Sequence, residues 1–255
     1  MNPESVAIGI VVFLVAFLVI VFIVVIAVSL ENDKKQRVAE LSALADKLNL
    51  TFLEDGIPYE DPNGFFSLFG SSEPNQSSIY SGDFVSAFPL FNEGTARTIS
   101  PALVGLDQLG NNWYIFEYCY TVRSGKSTIT HQFTVAIVQS QIEFPEMALQ
   151  PEHVGHSIGK FLGMQELQVE SEEFNKRYYI KTSDERRSLD LLHPVAIEVL
   201  LRQPDYEWHM NGQFAMIHVT GPAGADQIEQ MKNCIDEFLS QIPTYYRQDY
   251  SQAHE

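Results

Sequence analysis

Gly155-His156-Ser157-Ile158-Gly159 has the spacing of a nucleophile elbow. In that chemistry a serine on a sharp strand-to-helix turn is activated by a histidine and attacks an acyl carbon. The motif requires a buried apolar strand before it. Here Gln150-Pro151-Glu152-His153 precedes it, no Gly-rich oxyanion loop lies upstream, and Lys160 follows the second glycine. A membrane-bound serine hydrolase using Ser157 is therefore the alternative reading, behind a non-catalytic one.

Three other spacings suggest chemistry and fail on context. His153 and His156 lie three apart beside Glu152, a spacing that lets two imidazoles share zinc on a helix. Pro151 makes this a turn or helix start, and no third strong ligand is near in sequence, so a surface pair is the better account. Ser124-Gly125-Lys126-Ser127 resembles the end of a phosphate-binding loop. The first glycine of that loop would fall at Tyr120, and the segment joins two strands, which leaves no helix N-terminus for phosphate. Gly221-Pro222-Ala223-Gly224 precedes a helix and reads as a connecting turn. The sequence thus assigns no catalytic, metal or cofactor-binding residue and implies no cofactor. Cys119 sits in a strand pattern and Cys234 in a helical one, and both read as small buried hydrophobes.

The elements that would carry these residues begin with Val6–Leu30, 25 residues without charge or proline. About 20 apolar residues at 1.5 Å rise cross a hydrocarbon core of roughly 30 Å. The stretch is apolar all round, unlike an amphipathic core helix. A cleaved signal peptide is disfavoured, because Met1–Ser5 holds no Lys or Arg and the apolar run is too long. A single transmembrane helix is predicted. Lys34, Lys35, Arg37 and Lys47 follow it, and the positive-inside rule places that side in the cytoplasm of a cell whose inner (plasma) membrane holds the anchor. No Gly-x-x-x-Gly face or intramembrane ionisable group suggests a pore.

Charge bounds the partners. The net charge is −17, and only Glu4 is charged among the first 30 residues. A surface that acidic has no basic stripe from which to draw nucleic-acid affinity. Hydrophobic content of 45%, with 17 Phe and 11 Tyr, argues for a folded domain.

Glu31–Leu48 reads as a juxtamembrane helix, with Val38, Leu41, Ala45 and Leu48 on one stripe. Glu54–Glu93 is rich in Gly, Pro, Ser and Asn and reads as loops and short strands, with Asp83–Phe88 as a strand and Phe65, Phe66, Leu68 and Phe69 as core contacts. Trp113–Val122 is the clearest strand. Its alternation puts Tyr114, Phe116, Tyr118 and Tyr120 on one face. With Thr128–Gln139 it forms a long antiparallel hairpin about the 123–126 turn. Ile142–Leu149 reads as a third strand, Gly155–Leu162 as a short helix and Lys176–Thr182 as a strand. Asp184–Arg202 reads as a helix that Pro194 kinks or divides. Glu207–Met210 and Gln213–Val219 form a hairpin about Asn211-Gly212. Ala223–Gln241 is an amphipathic helix, and the tail from Pro243 is polar and mobile. Strand runs followed by helices give an α+β class. The predicted organisation is a tail 1–5, the transmembrane helix 6–30, the juxtamembrane helix 31–48, an α+β globular domain 49–242 with antiparallel hairpins and packed helices, and a flexible tail 243–255.

Several stretches from Asn112 onward carry a resemblance. These are Phe116-Glu-Tyr-Cys-Tyr-Thr121 through Gln132-Phe-Thr-Val135, Phe144-Pro with Leu149-x-Pro151-Glu152, Glu173-Phe174 with Tyr178 reaching Arg187 and Pro194, and Trp208–Val219. In their order the chain resembles an uncharacterised family of bacterial membrane-anchored proteins of unknown function. The resemblance implies no activity and supplies no catalytic residue. The reading is a membrane-tethered, non-catalytic cytoplasmic interaction or scaffold domain. It contacts the bilayer through Val6–Leu30 and binds an unknown protein partner. The aromatic face of Tyr114, Phe116, Tyr118 and Tyr120 is the interaction surface this reading offers, because edge aromatics mediate contacts.

Overall fold

The computed structural model describes residues 3–57, 84–152 and 163–250; within the first helix the side chains of 3–12, 14–16 and 30 lie outside that description. Contacts divide the chain into two units, 1–43 and 44–255.

The first unit is helical. Helix α1 runs unbroken over Pro3–Leu48, 46 residues. Ten consecutive residues, Phe17–Ile26, are each 42–65% exposed, so its described apolar side chains face outward on every side. Among the described residues no helix is long and apolar enough to cross a membrane. The expected span Val6–Leu30 lies partly outside them, since residues 6–12, 14–16 and 30 have no described side chains. The expected helix over 31–48 is the continuation of α1. Its last turn belongs to the second unit, where Leu44 and Ala45 are buried and Lys47 reaches Glu229 at 2.6 Å.

The second unit is α+β. Its strands are β1 (Thr51–Leu53), β2 (Thr95–Leu106), β3 (Asn112–Ser124), β4 (Ser127–Pro151), β5 (Gln165–Leu167), β6 (Tyr178–Thr182) and β7 (Glu207–Thr220), all paired antiparallel. Its helices are α2 (Phe84–Ala87), α3 (Glu172–Arg177), α4 (Glu185–Leu191), α5 (Pro194–Arg202), α6 (Ala225–Gln241) and α7 (Thr244–Asp249), with a 3₁₀ turn at Pro89–Asn92. The order is β1-β2-β3-β4-β6-β5, with β7 on β4. Strand β4 pairs with β3 along its first half and β6 along its last residues, while β7 accompanies both parts.

The β3–β4 hairpin forms as its alternation demands, with Gly125 at φ +61 in the turn. Asp184 caps α4, and Pro194 opens α5 at its first turn, where its missing N–H costs nothing. Ser171 caps α3 by accepting a hydrogen bond from the Phe174 amide.

Five expectations need correction. Ile142–Leu149 is the second half of the 25-residue β4 and no separate strand. Asn211-Gly212 does not end a strand. β7 continues through it, with Gly212 at φ +55 opposite Phe144 and the register shifting on both sides of that pair. The extra residues lie on β4, where Gln139–Met147 spans what Met210–Phe214 covers on β7, so Gly212 bends β7 opposite that irregularity and does not reverse the chain. Residues 84–87 are helix α2, not a strand, because Phe84 and Phe88 both insert into the core. The segment from Pro243 is helix α7, with Tyr246 fully buried. The aromatic face of β3 points inward. The Gly155–Leu162 helix and the contacts of Phe65, Phe66, Leu68 and Phe69 lie outside the described residues.

Side chains of the two sheet faces build two packed layers. Tyr114, Phe116, Tyr118 and Tyr120 join Phe84, Phe88, Leu90, Phe91, Phe214 and Met216 in one cluster. Phe84 meets Phe116 at 5.5 Å, and Phe91 meets Tyr118 edge-on at 5.0 Å. On the opposite face Trp208 packs on Phe238 of α6 at 5.3 Å, and Lys232 lies 4.2 Å over the Trp113 ring. Gly56 tolerates no side chain, since a Cβ would fall 1.8 Å from the Ile99 carbonyl oxygen.

Asp107 ties the β2–β3 connection. Its carboxylate accepts from the Leu109 and Asn111 amides, the Asn111 side chain and the Trp113 indole. Burial would raise its carboxyl pKa, but those hydrogen bonds outweigh it and hold the group below its ordinary value.

Two stability outcomes follow from this packing. Phe116→Ala costs about 3–5 kcal/mol in urea unfolding, the range for emptying an aromatic core site. A change within about 0.5 kcal/mol, as at an exposed site, would contradict the inward face. Asp107→Ala costs about 1–3 kcal/mol, toward the lower end because the group is partly exposed. Its pKa is depressed, so this contribution is complete above the ordinary carboxylate value of about 4 and fades as pH falls through the lower folded value. The gap between wild type and variant narrows on acidification; a gap that widened would refute the assignment.

Candidate functional site

Among the described residues, those singled out in the sequence form no common polar site. Ser157, with the whole Gly155–Gly159 elbow, lies outside the described residues, as do His153 and His156. The Ser124–Ser127 segment is the tip of the β3–β4 hairpin, where Ser124 pairs with Ser127. Two amides of the Gly221–Gly224 turn are spent internally. The Gly221 N–H donates to the Gln132 carbonyl at 2.7 Å, and the Ala223 N–H donates to Thr134 Oγ1 at 2.8 Å. Tyr114, Phe116, Tyr118 and Tyr120 are 4, 2, 0 and 4% exposed and present no surface. Period-2 alternation had grouped them correctly, but more apolar surface awaited them under α2 than in water. Both cysteines are free thiols. Cys234 is buried, and that burial with nearby Glu237 pushes its pKa up to about 12; Cys119 is half-buried and is raised by burial and by Glu117. Neither has the lowered pKa of a nucleophile.

Two places in the second unit draw polar groups together. The first is a cleft of about 550 Å³ bordered by the β2–β3 connection, residues 140–142 of β4, α6 and Arg247. Lys232 and Asp236 line it as an ion pair at 2.7 Å. At its rim Leu106 and Leu109 are 62 and 80% exposed, the most exposed large apolar side chains described in this unit.

The second is a cluster that the sequence pattern hid. Glu207, His209 and His218 bring their donor atoms within 4.8 Å of one another. Trp208 faces α6, so alternation turns Glu207 and His209 to the opposite side of β7. His218 has the wrong parity to join them on an unbroken strand. It also lies 11 residues from Glu207, or about 36 Å at 3.3 Å per residue. The ribbon must therefore double back between them. The register break at Gly212 does this and resets the alternation, so Glu207, His209, Phe214, Met216 and His218 share one side.

His209 Nε2 is 3.0 Å from Glu207 Oε1, and His218 Nε2 is 3.7 Å from Glu207 Oε2. The two imidazoles lie 5.5 Å apart at 17°. Gln150 Nε2 donates to Glu207 Oε1 at 3.0 Å. Phe88 abuts His209 at 6.3 Å, and Phe133 meets His218 edge-on at 5.6 Å. Burial would raise the Glu207 pKa, but the His209 hydrogen bond, the His218 and His209 charges and the Gln150 amide outweigh it and hold the carboxyl at about 2. The cluster therefore presents a permanent carboxylate to two imidazoles. One strand arm carries Glu-x-His; the other carries His218. Only the Glu207-x-His209 half was visible in the sequence, because nothing there marks the fold-back.

Comparison with known proteins places the fold alone. No family model matches the sequence, and no curated protein matches it. Among solved structures, the crystal structure of the mycobacterial trehalose monomycolate transport factor A, TtfA, is similar, with a TM-score of 0.55 at 7% identity. The likeness covers 86% of this chain and 98% of that one.

Proposed function

We propose that this chain is a membrane-tethered, non-catalytic accessory protein whose acidic α+β domain acts by binding a protein partner. The observation that carries the reading is the outward-facing apolar run Phe17–Ile26 within the uncharged stretch Val6–Leu30. A protein partner packed on one side would leave the other side in water, whereas lipid solvates a helix from all directions. Continuity of α1 over Pro3–Leu48 supports one anchor leading into the domain without an intervening linker. The basic residues Lys34, Lys35 and Arg37 after the apolar stretch favour a cytoplasmic domain on the inner (plasma) membrane.

The similar structure is that of a trehalose monomycolate transport factor. A likeness of fold supports an accessory role of that general kind here and carries no substrate with it. The buried aromatic face leaves Leu106 and Leu109, at the rim of the 550 Å³ cleft, as the apolar contact we assign to the partner.

Full-length protein is expected to pellet with membranes through an alkaline carbonate wash and to dissolve only in detergent. Recovery in the supernatant would remove the tether. A fluorophosphonate probe is expected to leave the purified chain unlabelled. Labelling that disappears in Ser157→Ala would replace the non-catalytic reading with the hydrolase.

A further inference from the structure

We propose that Glu207, His209 and His218 hold one divalent transition-metal ion of the zinc class, and that this ion clasps the two arms of the doubled β7 ribbon. The inference is independent of the membrane reading, since every residue in it belongs to the second unit.

The donor set is the first argument. Two imidazoles and one carboxylate are a common protein ligand set for zinc. The same borderline donors suit zinc better than magnesium or calcium, which prefer all-oxygen cages. The second argument is spacing. Tetrahedral bonds of about 2.0–2.1 Å place donor atoms about 3.3–3.4 Å apart. The observed separations of 3.0 and 3.7 Å bracket that value, and all three donors fall within 4.8 Å. Both histidines approach through Nε2, each to a different carboxylate oxygen, so small movements of that carboxylate open a central position.

The third argument is the mounting. Glu207 and His209 project from adjacent same-side positions of one arm, and His218 from the other; backbone pairing to β4 fixes His209 and His218, and Gln150 of β4 holds the Glu207 carboxylate. The side chains of Glu207, His209 and His218 are only 17, 8 and 10% exposed. Gln150 orients the carboxylate from outside, as partners behind metal ligands commonly do. Phe88 and Phe133 wall the site with apolar rings, which strengthens charge interactions within it. Three protein donors leave the fourth position to water, and the fold-back gives the ion a structural task.

The rival is a hydrogen-bonded Glu–His cluster with a proton where the ion would sit. The test uses full-length protein in detergent micelles, stripped with chelator and dialysed. Titration with zinc by calorimetry is expected to saturate at one ion per chain. Cobalt is expected to give the intense visible absorption of a tetrahedral site, and zinc to raise the melting temperature above that in chelator. Glu207→Gln and His218→Ala are expected to abolish saturable binding. Gln150→Ala is expected to keep the stoichiometry and weaken affinity about 10–100-fold. Replacing His153 and His156 together with alanine is expected to change nothing. Absence of saturable uptake by wild type would overturn the proposal. So would retention in His218→Ala, or loss in the His153/His156 double variant. Should either ligand variant fail to fold, the wild-type titration and Gln150→Ala decide alone.

Discussion

Backbone hydrogen bonding cannot continue through a sharp fold without leaving polar groups unpaired, and the second unit depends on how β4 and β7 solve this. Their shared ribbon breaks register on both sides of the Phe144–Gly212 pair. Gly212 takes the left-handed conformation the break requires. At Glu143 the freed amide donates to the Tyr250 carbonyl at 2.8 Å. The Glu143 carbonyl accepts from the Tyr246 hydroxyl at 3.1 Å and the Arg187 guanidinium at 2.6 Å. Buried or half-buried backbone groups must find partners. Here they find them in the last described residues of the chain and in α4.

The same break decides which side chains meet. Before it, odd-numbered residues of β7 face the aromatic core; after it, even-numbered ones do. Phe214 and Met216 thereby fill the layer under Phe88 and Tyr114. His218 likewise reaches the carboxylate of Glu207. Packing and polar chemistry are thus two results of one break in register. A strand without it would turn His218 to the opposite face and carry it away from Glu207.

Much of this architecture was legible where one physical signal dominated. β3 and β4 were readable because aromatic and β-branched residues alternate through Trp113–Val122 and Thr128–Gln139. α6 was readable from Ile228, Met231, Ile235 and Phe238, and the division of α4 from α5 from Pro194. Strand β2 was missed because Arg97, Ser100 and Pro101 interrupt its apolar pattern, and pairing to β3 overrides that weak local preference. Alternation tells which residues share a face but not which face meets water, so the aromatic row was grouped correctly and aimed wrongly. Asn211-Gly212 announced a left-handed glycine, which serves bulge and turn alike. The Glu207–His209–His218 cluster was illegible because its parity is set by that bulge. The tail misled because its polar atoms are spent on Glu143 and Asp190, leaving the Tyr246 ring to the core.

The docking of α7 at Glu143 has a consequence for synthesis. Residues 244–250 are the last described segment of the chain, and they close hydrogen bonds at the middle of its longest strand. Because synthesis runs from the N-terminus, β4 and β7 are made before these residues. The corner of the ribbon stays unsealed until residues 244–250 have followed it. Truncation before position 244 would leave the Glu143 amide without the Tyr250 carbonyl and uncover the core that Tyr246 fills.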